Sequence, residues 1–267
     1  MKKIALIFDF DETLVEESTS AYLSSFHIDI DKFWQQTVNS LIQQDWDPVP
    51  AYMFKMIEAS MSKNMTKSSL QDFAKTLTYK NGVLELFSEL RNHVSKLSYD
   101  VEIEFYIISS GIGEIIRNTE IAHHFKDIWA SDFEYDSNEQ IVFPKKILSF
   151  TDKTRYIFQI SKGMVGNSFR SKPYIVNEKY DSKEYVIPFK NMIYIGDGLT
   201  DVPCFSLLKK QKGTAIAVYD AQNTQAYGKA WNFIKEERVS NLHTANYEKG
   251  SDLFNSIVMA IDSIANN

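Results

Sequence analysis

The chain has 267 residues, of which 44% are hydrophobic and 24% charged, and a formal net charge of −6. That size suits one large α/β domain or one domain with a smaller insert, and the composition excludes wholesale disorder. The single cysteine, Cys204, excludes a disulfide framework and a cysteine-rich zinc site, and the acidic balance argues against nucleic acid as a main ligand.

The first element, Ile4 to Phe8, is apolar on both faces and reads as a buried parallel strand. Its five apolar residues are too few for a secretion signal, and no apolar run approaches the roughly 18 residues needed to span a bilayer. No membrane partner is expected, and a reducing, cytoplasmic setting is the simplest location. From Glu16 to about Lys80 the spacing turns helical and rich in aromatics and methionines. Ser68-Ser69-Leu70-Gln71 reads as a capping box opening a helix that stops at Asn81-Gly82. Another helix follows from Val83 with Leu84, Phe87, Leu90 and Val94 on its apolar face. Ile103 to Ile108 reads as a second buried strand leading into a helix at Gly111.

Thereafter strands and helices alternate. Ile128 to Phe133 is a strand, Glu134 to Val142 a turn or hairpin, Lys153 to Lys162 a helix and Asn191 to Ile195 a strand. Asp201 to Lys210 is a helix, Thr214 to Tyr219 a strand, and Leu253, Ile257, Ile261 and Ile264 form the stripe of a C-terminal helix. The polar stretch 163–190 is weakly periodic, and Tyr174-Ile175-Val176 with Tyr185-Val186-Ile187 could pair as a hairpin or remain a loop. The alternation implies an α/β fold with a doubly wound, mostly parallel sheet. Residues 1–15 and 82–267 form its core domain, 16–81 an inserted helical cap, and 163–190 a polar insertion within the core.

In open α/β sheets, ligands bind beyond the carboxyl ends of the strands. The first strand there carries Asp9-Phe10-Asp11-Glu12-Thr13, the second Ser109-Ser110-Gly111, and a later one Gly196-Asp197-Gly198-Leu199-Thr200-Asp201, while Lys153 opens the helix before the last. In that order the four motifs resemble those of the haloacid dehalogenase-like hydrolase superfamily. A helical insert between the first two motif strands is similar to the C1 cap of its phosphoserine phosphatase branch. The resemblance implies a Mg²⁺-dependent phosphomonoester hydrolase working on a small phosphorylated metabolite through an aspartyl-phosphate. It also implies that Asp9 is the nucleophile, Asp11 the general acid and base, and that Lys153 neutralises the phosphoryl group. Ser109 and Ser110 would bind that group, and Asp9, Asp11, Asp197 and Asp201 would hold the metal, Asp11 through its carbonyl and Asp201 directly or through water. The second aspartate, Asp11, favours phosphoryl transfer over carbon–halogen cleavage.

The chemistry agrees with these residue types. A phosphate monoester is anionic and slow to hydrolyse, so a fixed nucleophile and positive charge are required. Four gathered carboxylates repel one another, at about 4 kcal/mol for charges about 4 Å apart at an effective dielectric near 20. An all-oxygen donor set resolves this with Mg²⁺ rather than zinc.

Blander readings exist for each group. Asp9, Asp11 and Ser109 could be turn or cap residues, and Lys153 one surface lysine among Lys145, Lys146 and Lys162. Gly111-Ile112-Gly113 fails as a dinucleotide loop because Ile116 replaces the third glycine. His123-His124 reads as a helix terminus, Cys204 as buried, and Phe33, Trp34, Tyr52, Met53, Phe54 and Met56 as cap core, some lining a lid. Ser18 stands where phosphoserine phosphatases carry the glutamate that reads the substrate's ammonium. The stretch Asp9 to Ser20 is also similar to phosphoethanolamine/phosphocholine-type phosphatases, so a small, amine-bearing phosphomonoester is one expectation. A phosphomutase or phosphotransferase on the same scaffold and a non-catalytic binding module are the alternatives, and the oligomeric state is left open.

Overall fold

The computed structural model describes residues 1–97, 100–222 and 224–267. Its strands are β1 (Lys2–Phe8), β2 (Val101–Ile112), β3 (Asp127–Tyr135), β4 (Ile141–Lys146), β5 (Met192–Gly196), β6 (Thr214–Tyr219) and β7 (Asn241–Thr244). They form one sheet in the order β4-β3-β2-β1-β5-β6-β7, parallel except for the antiparallel edge strand β4. The expected doubly wound α/β sheet is therefore present.

β1 is central because both its faces are apolar. Ile4, Leu6 and Phe8 enter one core with Phe87, Leu90 and Ile257, while Ala5 and Ile7 enter the other with Ile157, Tyr194 and Phe205. The chain leaves β1 for β2 on one side and later returns as β5 on the other, so β1 flanks a topological switch point. Phe8 pairs with Ile107 of β2 and Ile195 of β5, which brings the residues just beyond β1 and β5 level with Ser109 of β2.

Helices cover both faces: α5 (Val83–Ser95) and α11 (Asp252–Asn266) on one, α7 (Asp152–Ser161), α9 (Val202–Lys210) and α10 (Thr224–Lys235) on the other. The stripe Leu253, Ile257, Ile261 and Ile264 is buried as expected, and so is Cys204. Between β1 and β2 lie α1 (Ser18–Ser25), a π-helical turn (Lys32–Val38), α2 (Asn39–Ile42), α3 (Pro48–Lys63) and α4 (Lys67–Ala74). They share a separate core of Tyr22, Phe33, Met53, Met56 and Leu70, extended by Ile112, Phe133 and Ile141 from the sheet. Gly113–Ile116 (α6) and Asn167–Arg170 (α8) are single turns. No helix among the described residues is long and apolar enough to cross a membrane.

Several local expectations are corrected. The capping box is set by Thr66 and Ser69, not Ser68 and Gln71, because the Thr66 hydroxyl accepts from Ser69 N at 3.1 Å and Ser69 Oγ accepts from Thr66 N at 2.9 Å. That helix ends at Ala74, and Gly82, at φ +77°, caps the next one instead of stopping this one. Leu84 is 44% exposed; Leu86 takes its place on the buried stripe of α5. β2 runs on to Ile112, so Ser109-Ser110-Gly111 lie within a strand and the following helix begins at Gly113. The 163–190 stretch forms α8 and short 3₁₀ turns at Ile175–Asn177, Ser182–Glu184 and Phe189–Asn191, with no hairpin among the described residues. Its apolar triplets are too short and too separated to bury a paired face. β7 escapes the alternation rule because its four residues are all at least partly exposed.

Candidate active site

Asp9 leaves β1 directly, with its backbone N–H still donating to Ile195 O at 2.9 Å. The chain then doubles back: Thr13, Leu14 and Val15 N–H groups all turn onto Phe10 O, and Glu12 takes a left-handed φ of 54°. This tight turn aims Asp9 and Asp11 together across the sheet edge. Asp9 Oδ1 accepts from Phe10 N at 2.7 Å, and Asp11 Oδ1 from Ser18 N at 2.7 Å.

Three carboxylates from distant parts of the chain converge, with ligand oxygens of Asp9, Asp197 and Asp201 all within 4.8 Å of one another. Lys153, fully buried in the first turn of α7, bridges two of them. Its Nζ lies 2.6 Å from Asp9 Oδ2, 2.7 Å from Asp201 Oδ1 and 3.2 Å from Thr200 Oγ1. Its neighbours go elsewhere: Lys145 to Glu134 at 2.6 Å and Lys162 to the carbonyls of Val176 and Glu178. Asp201 is held on both oxygens, Oδ1 also accepting from Tyr194 OH at 2.7 Å and Oδ2 from Gly198 N at 3.1 Å. Asp197 has no hydrogen-bond partner for its carboxylate among the described residues, which leaves it free for a cation.

The electrostatics follow from that crowding. Burial, then the Asp201 charge, push the Asp9 carboxyl up to about 6 against the pull of Lys153. Asp11 is pushed up to about 7 by burial and the nearby Glu17, against the Ser18 N–H. Asp197 is raised well above the carboxylate range by burial, Asp201 and Asp9. Burial pulls the Lys153 ammonium down, but Asp201 and Asp9 outweigh it and raise it. Three oxygen donors with one lysine between them suit a hard divalent cation, and among the described residues no cysteine or histidine joins the three as a ligand.

Ser109 is buried with its Oγ accepting from Gly111 N at 3.0 Å. A Cβ on Gly111 would sit 2.4 Å from Asp11 Oδ2 and 3.3 Å from Ser109 Oγ, so these two groups flank one point beside the carboxylates. Gly111→Ala is therefore expected to displace Asp11 and lower kcat about 100-fold with a melting temperature near that of the parent chain, as steady-state assays and thermal melts would show. The Ser110 carbonyl accepts from Tyr52 OH of α3 at 2.7 Å, and its buried hydroxyl has no partner among the described residues.

Residue-level reading missed Tyr194 and Thr200 as supports of Asp201 and Lys153. A tyrosine in an otherwise aliphatic buried strand is the available signal, because its hydroxyl must find a partner. Glu17 caps α1, accepting from Thr19 N at 3.1 Å and Ser20 N at 2.7 Å. His123 and His124 close a 3₁₀ turn, with His124 stacked on Phe87.

A family model described as Putative Phosphatase matches residues 4–225. An uncharacterised protein of Borreliella burgdorferi is 29% identical over 286 aligned positions, spanning 97% of this chain and 96% of that one. A substrate-bound phosphoserine phosphatase has the same fold at a TM-score of 0.60 and 16% identity, over 96% of this chain and 98% of that chain. A HAD family hydrolase from Salmonella enterica serovar Typhi superposes at 0.59 and 16% identity, over 89% of this chain and 66% of that one. The match across 4–225 together with the sheet order shows that the chain belongs to the Putative Phosphatase family and is a phosphatase of the haloacid dehalogenase-like fold.

Proposed function

We propose that the protein is a Mg²⁺-dependent phosphomonoester hydrolase that acts on a small phosphorylated metabolite through phospho-Asp9. The observation that carries this reading is the convergence of Asp9, Asp197 and Asp201 around one buried lysine at the switch point of the sheet. Asp9, Asp197 and the Asp11 carbonyl would hold the cation, with Asp201 acting directly or through water. The cation supplies charge that offsets the phosphoryl oxygens and the repulsion among the carboxylates.

The chain's own residues do the rest. Lys153 fixes the Asp9 carboxylate by its hydrogen bond to Oδ2 and contributes positive charge beside the phosphoryl group. Asp11, held by Ser18 N and pushed up to about 7, can exist in both protonation states near neutrality. It protonates the departing alkoxide and then deprotonates the water that attacks phospho-Asp9, and both roles need a pKa near the working pH. Ser109 Oγ, which borders the same point at Gly111 as Asp11 Oδ2, donates to the phosphoryl oxygens.

In this reading, residues 16–81 are a cap over a core of 1–15 and 82–267, with 163–190 a polar insertion. The Tyr52 hydroxyl on Ser110 O ties cap to core beside the site. Closure of such a lid excludes water and large substrates. Glu17 already accepts one backbone N–H on each oxygen in capping α1, which fixes its carboxylate beside the Asp11 turn.

Asp197→Asn tests the metal role. Turnover of p-nitrophenyl phosphate, expected only with Mg²⁺ in the parent chain, should fall at least about 100-fold, reflecting lost charge stabilisation of the transition state. The metal-free variant should meanwhile melt a few degrees higher at pH 8, because an unpartnered, repelled carboxylate has gone. The sign follows from the raised folded-state pKa: such a carboxyl destabilises the metal-free fold increasingly as pH rises. Metal-independent turnover, or a variant as active as the parent, would refute the assignment.

A further inference from the structure

A second polar cavity, of about 280 Å³, lies between α7, β3, the end of β4 and the segment that follows α7. Four cations line it, Lys145, Lys146, Arg155 and Arg170, against two carboxylates, Asp127 and Asp132. This local excess is unexpected in a chain of net charge −6. The carboxylates are already engaged. Asp127 Oδ1 accepts from Arg170 at 2.8 Å and Ile128 N at 2.9 Å, and its Oδ2 from Gly166 N at 2.7 Å. Asp132 pairs with Arg117, and Lys145 with Glu134.

Lys146 and Arg155 are left with no carboxylate within 4.0 Å among the described residues. Arg155 Nε is buried without a hydrogen-bond partner among the described residues. Gln159, only 4% exposed, lines the same cavity, and its side-chain amide makes no hydrogen bond among the described residues. Buried polar groups are ordinarily paired, so the Arg155 nitrogen left unpaired at this cavity points to a missing partner, and the Gln159 amide lines the same cavity as a further donor. The cations are held in place: Lys146 Nζ lies 5.0 Å and the Arg155 guanidinium carbon 5.3 Å from the Tyr156 ring centre, and Tyr156 stacks on Trp129. Burial pushes the Lys146 ammonium down to about 8, and Arg117, Arg170 and Arg155 push the same way against the attraction of Asp132. An anion would relieve that repulsion.

We infer that this cavity binds a small anion carrying a phosphate or carboxylate group, held by Lys146, Arg155 and the Gln159 amide. The volume accommodates one such group on a compact body, given about 30 Å³ for a single water. Binding here requires neither a divalent cation nor phospho-Asp9, so its success or failure is independent of the catalytic reading.

The test uses the full chain free of divalent cations, where the crowded carboxylates of the catalytic cluster repel anions. Inorganic phosphate and citrate are titrated separately while the melting temperature is followed, with ionic strength matched by sodium chloride. A saturable rise is expected with phosphate, citrate or both, and the pattern identifies which oxyanion the cavity prefers. Lys146→Met and Arg155→Met should each shift the titration to at least about tenfold higher anion concentration, whereas Ser109→Ala should leave it unchanged. Gln159→Leu, which removes the amide and keeps both cations, should also weaken the response and serves if either charge variant fails to fold. No saturable rise with either anion overturns the inference. So does a parent-like response in the Lys146, Arg155 and Gln159 variants, or loss of the response in Ser109→Ala.

Discussion

Replacing Asp9 by asparagine is expected to lower Mg²⁺-dependent turnover of p-nitrophenyl phosphate by at least about 1,000-fold, the scale on which loss of a catalytic nucleophile acts. Asparagine is nearly isosteric and can still accept from Phe10 N, but its amide cannot form the acyl phosphate and offers no negative charge to a cation. The fold should survive, because Lys153 keeps Asp201 at 2.7 Å as a counter-charge. Circular dichroism and a melting temperature close to that of the parent chain would show that chemistry, not folding, has been removed. Residual turnover within tenfold of the parent would mean that another group attacks phosphorus.

Lys153→Met should be the most destabilising single change near the site, by about 3–5 kcal/mol, because it leaves the buried carboxylates of Asp9 and Asp201 uncompensated. The raised folded-state pKa of Lys153 makes its contribution fully present below the unfolded value of 10.5, so the whole loss is felt at neutral pH. Without the ammonium, Asp9 and Asp201 must take up protons to remain buried. The defect should therefore grow as pH is raised from 5.5 to 8, and urea melts at the two pH values would measure it. Adding Asp201→Asn should recover part of the loss by removing one uncompensated charge. A Lys153→Met chain within about 1 kcal/mol of the parent would show that the carboxylates are not dependent on this lysine.

Much of this architecture is legible along the chain because it depends on local chemistry. Ile4 to Phe8 can only be a buried strand, since both its faces are apolar, and the stripe Leu253, Ile257, Ile261, Ile264 can only be one face of a helix. Asp9-Phe10-Asp11 and Gly196-Asp197-Gly198 stand at strand ends, where a doubly wound sheet binds ligands. Other features resisted for equally physical reasons. The helix opened by Thr66 ends at Ala74 although residues 75–81 hold no glycine or proline to stop it, because the segment returning to the core pairs Tyr79 with Val15 and Lys80 N with Leu14 O. Leu84 and Leu86 have the same propensity, and only the packing of α5 against Phe8 and Phe105 selects Leu86 for burial.

The residue order alone thus specifies a parallel α/β chain and the acidic, hydroxyl and amine groups available for phosphoryl chemistry, because strand and helix periodicity and side-chain type are short-range properties. Which of those groups meet was settled by strand registry and burial. Pairing of Phe8 with Ile107 and Ile195 brings Asp9, Ser109 and Asp197 to one edge. Desolvation selects Lys153 from its neighbours as the cation between Asp9 and Asp201, since a lysine excluded from water must lie between carboxylates. The same long-range packing leaves Lys146, Arg155 and Gln159 around a second cavity, a juxtaposition that their separate positions in the chain do not reveal.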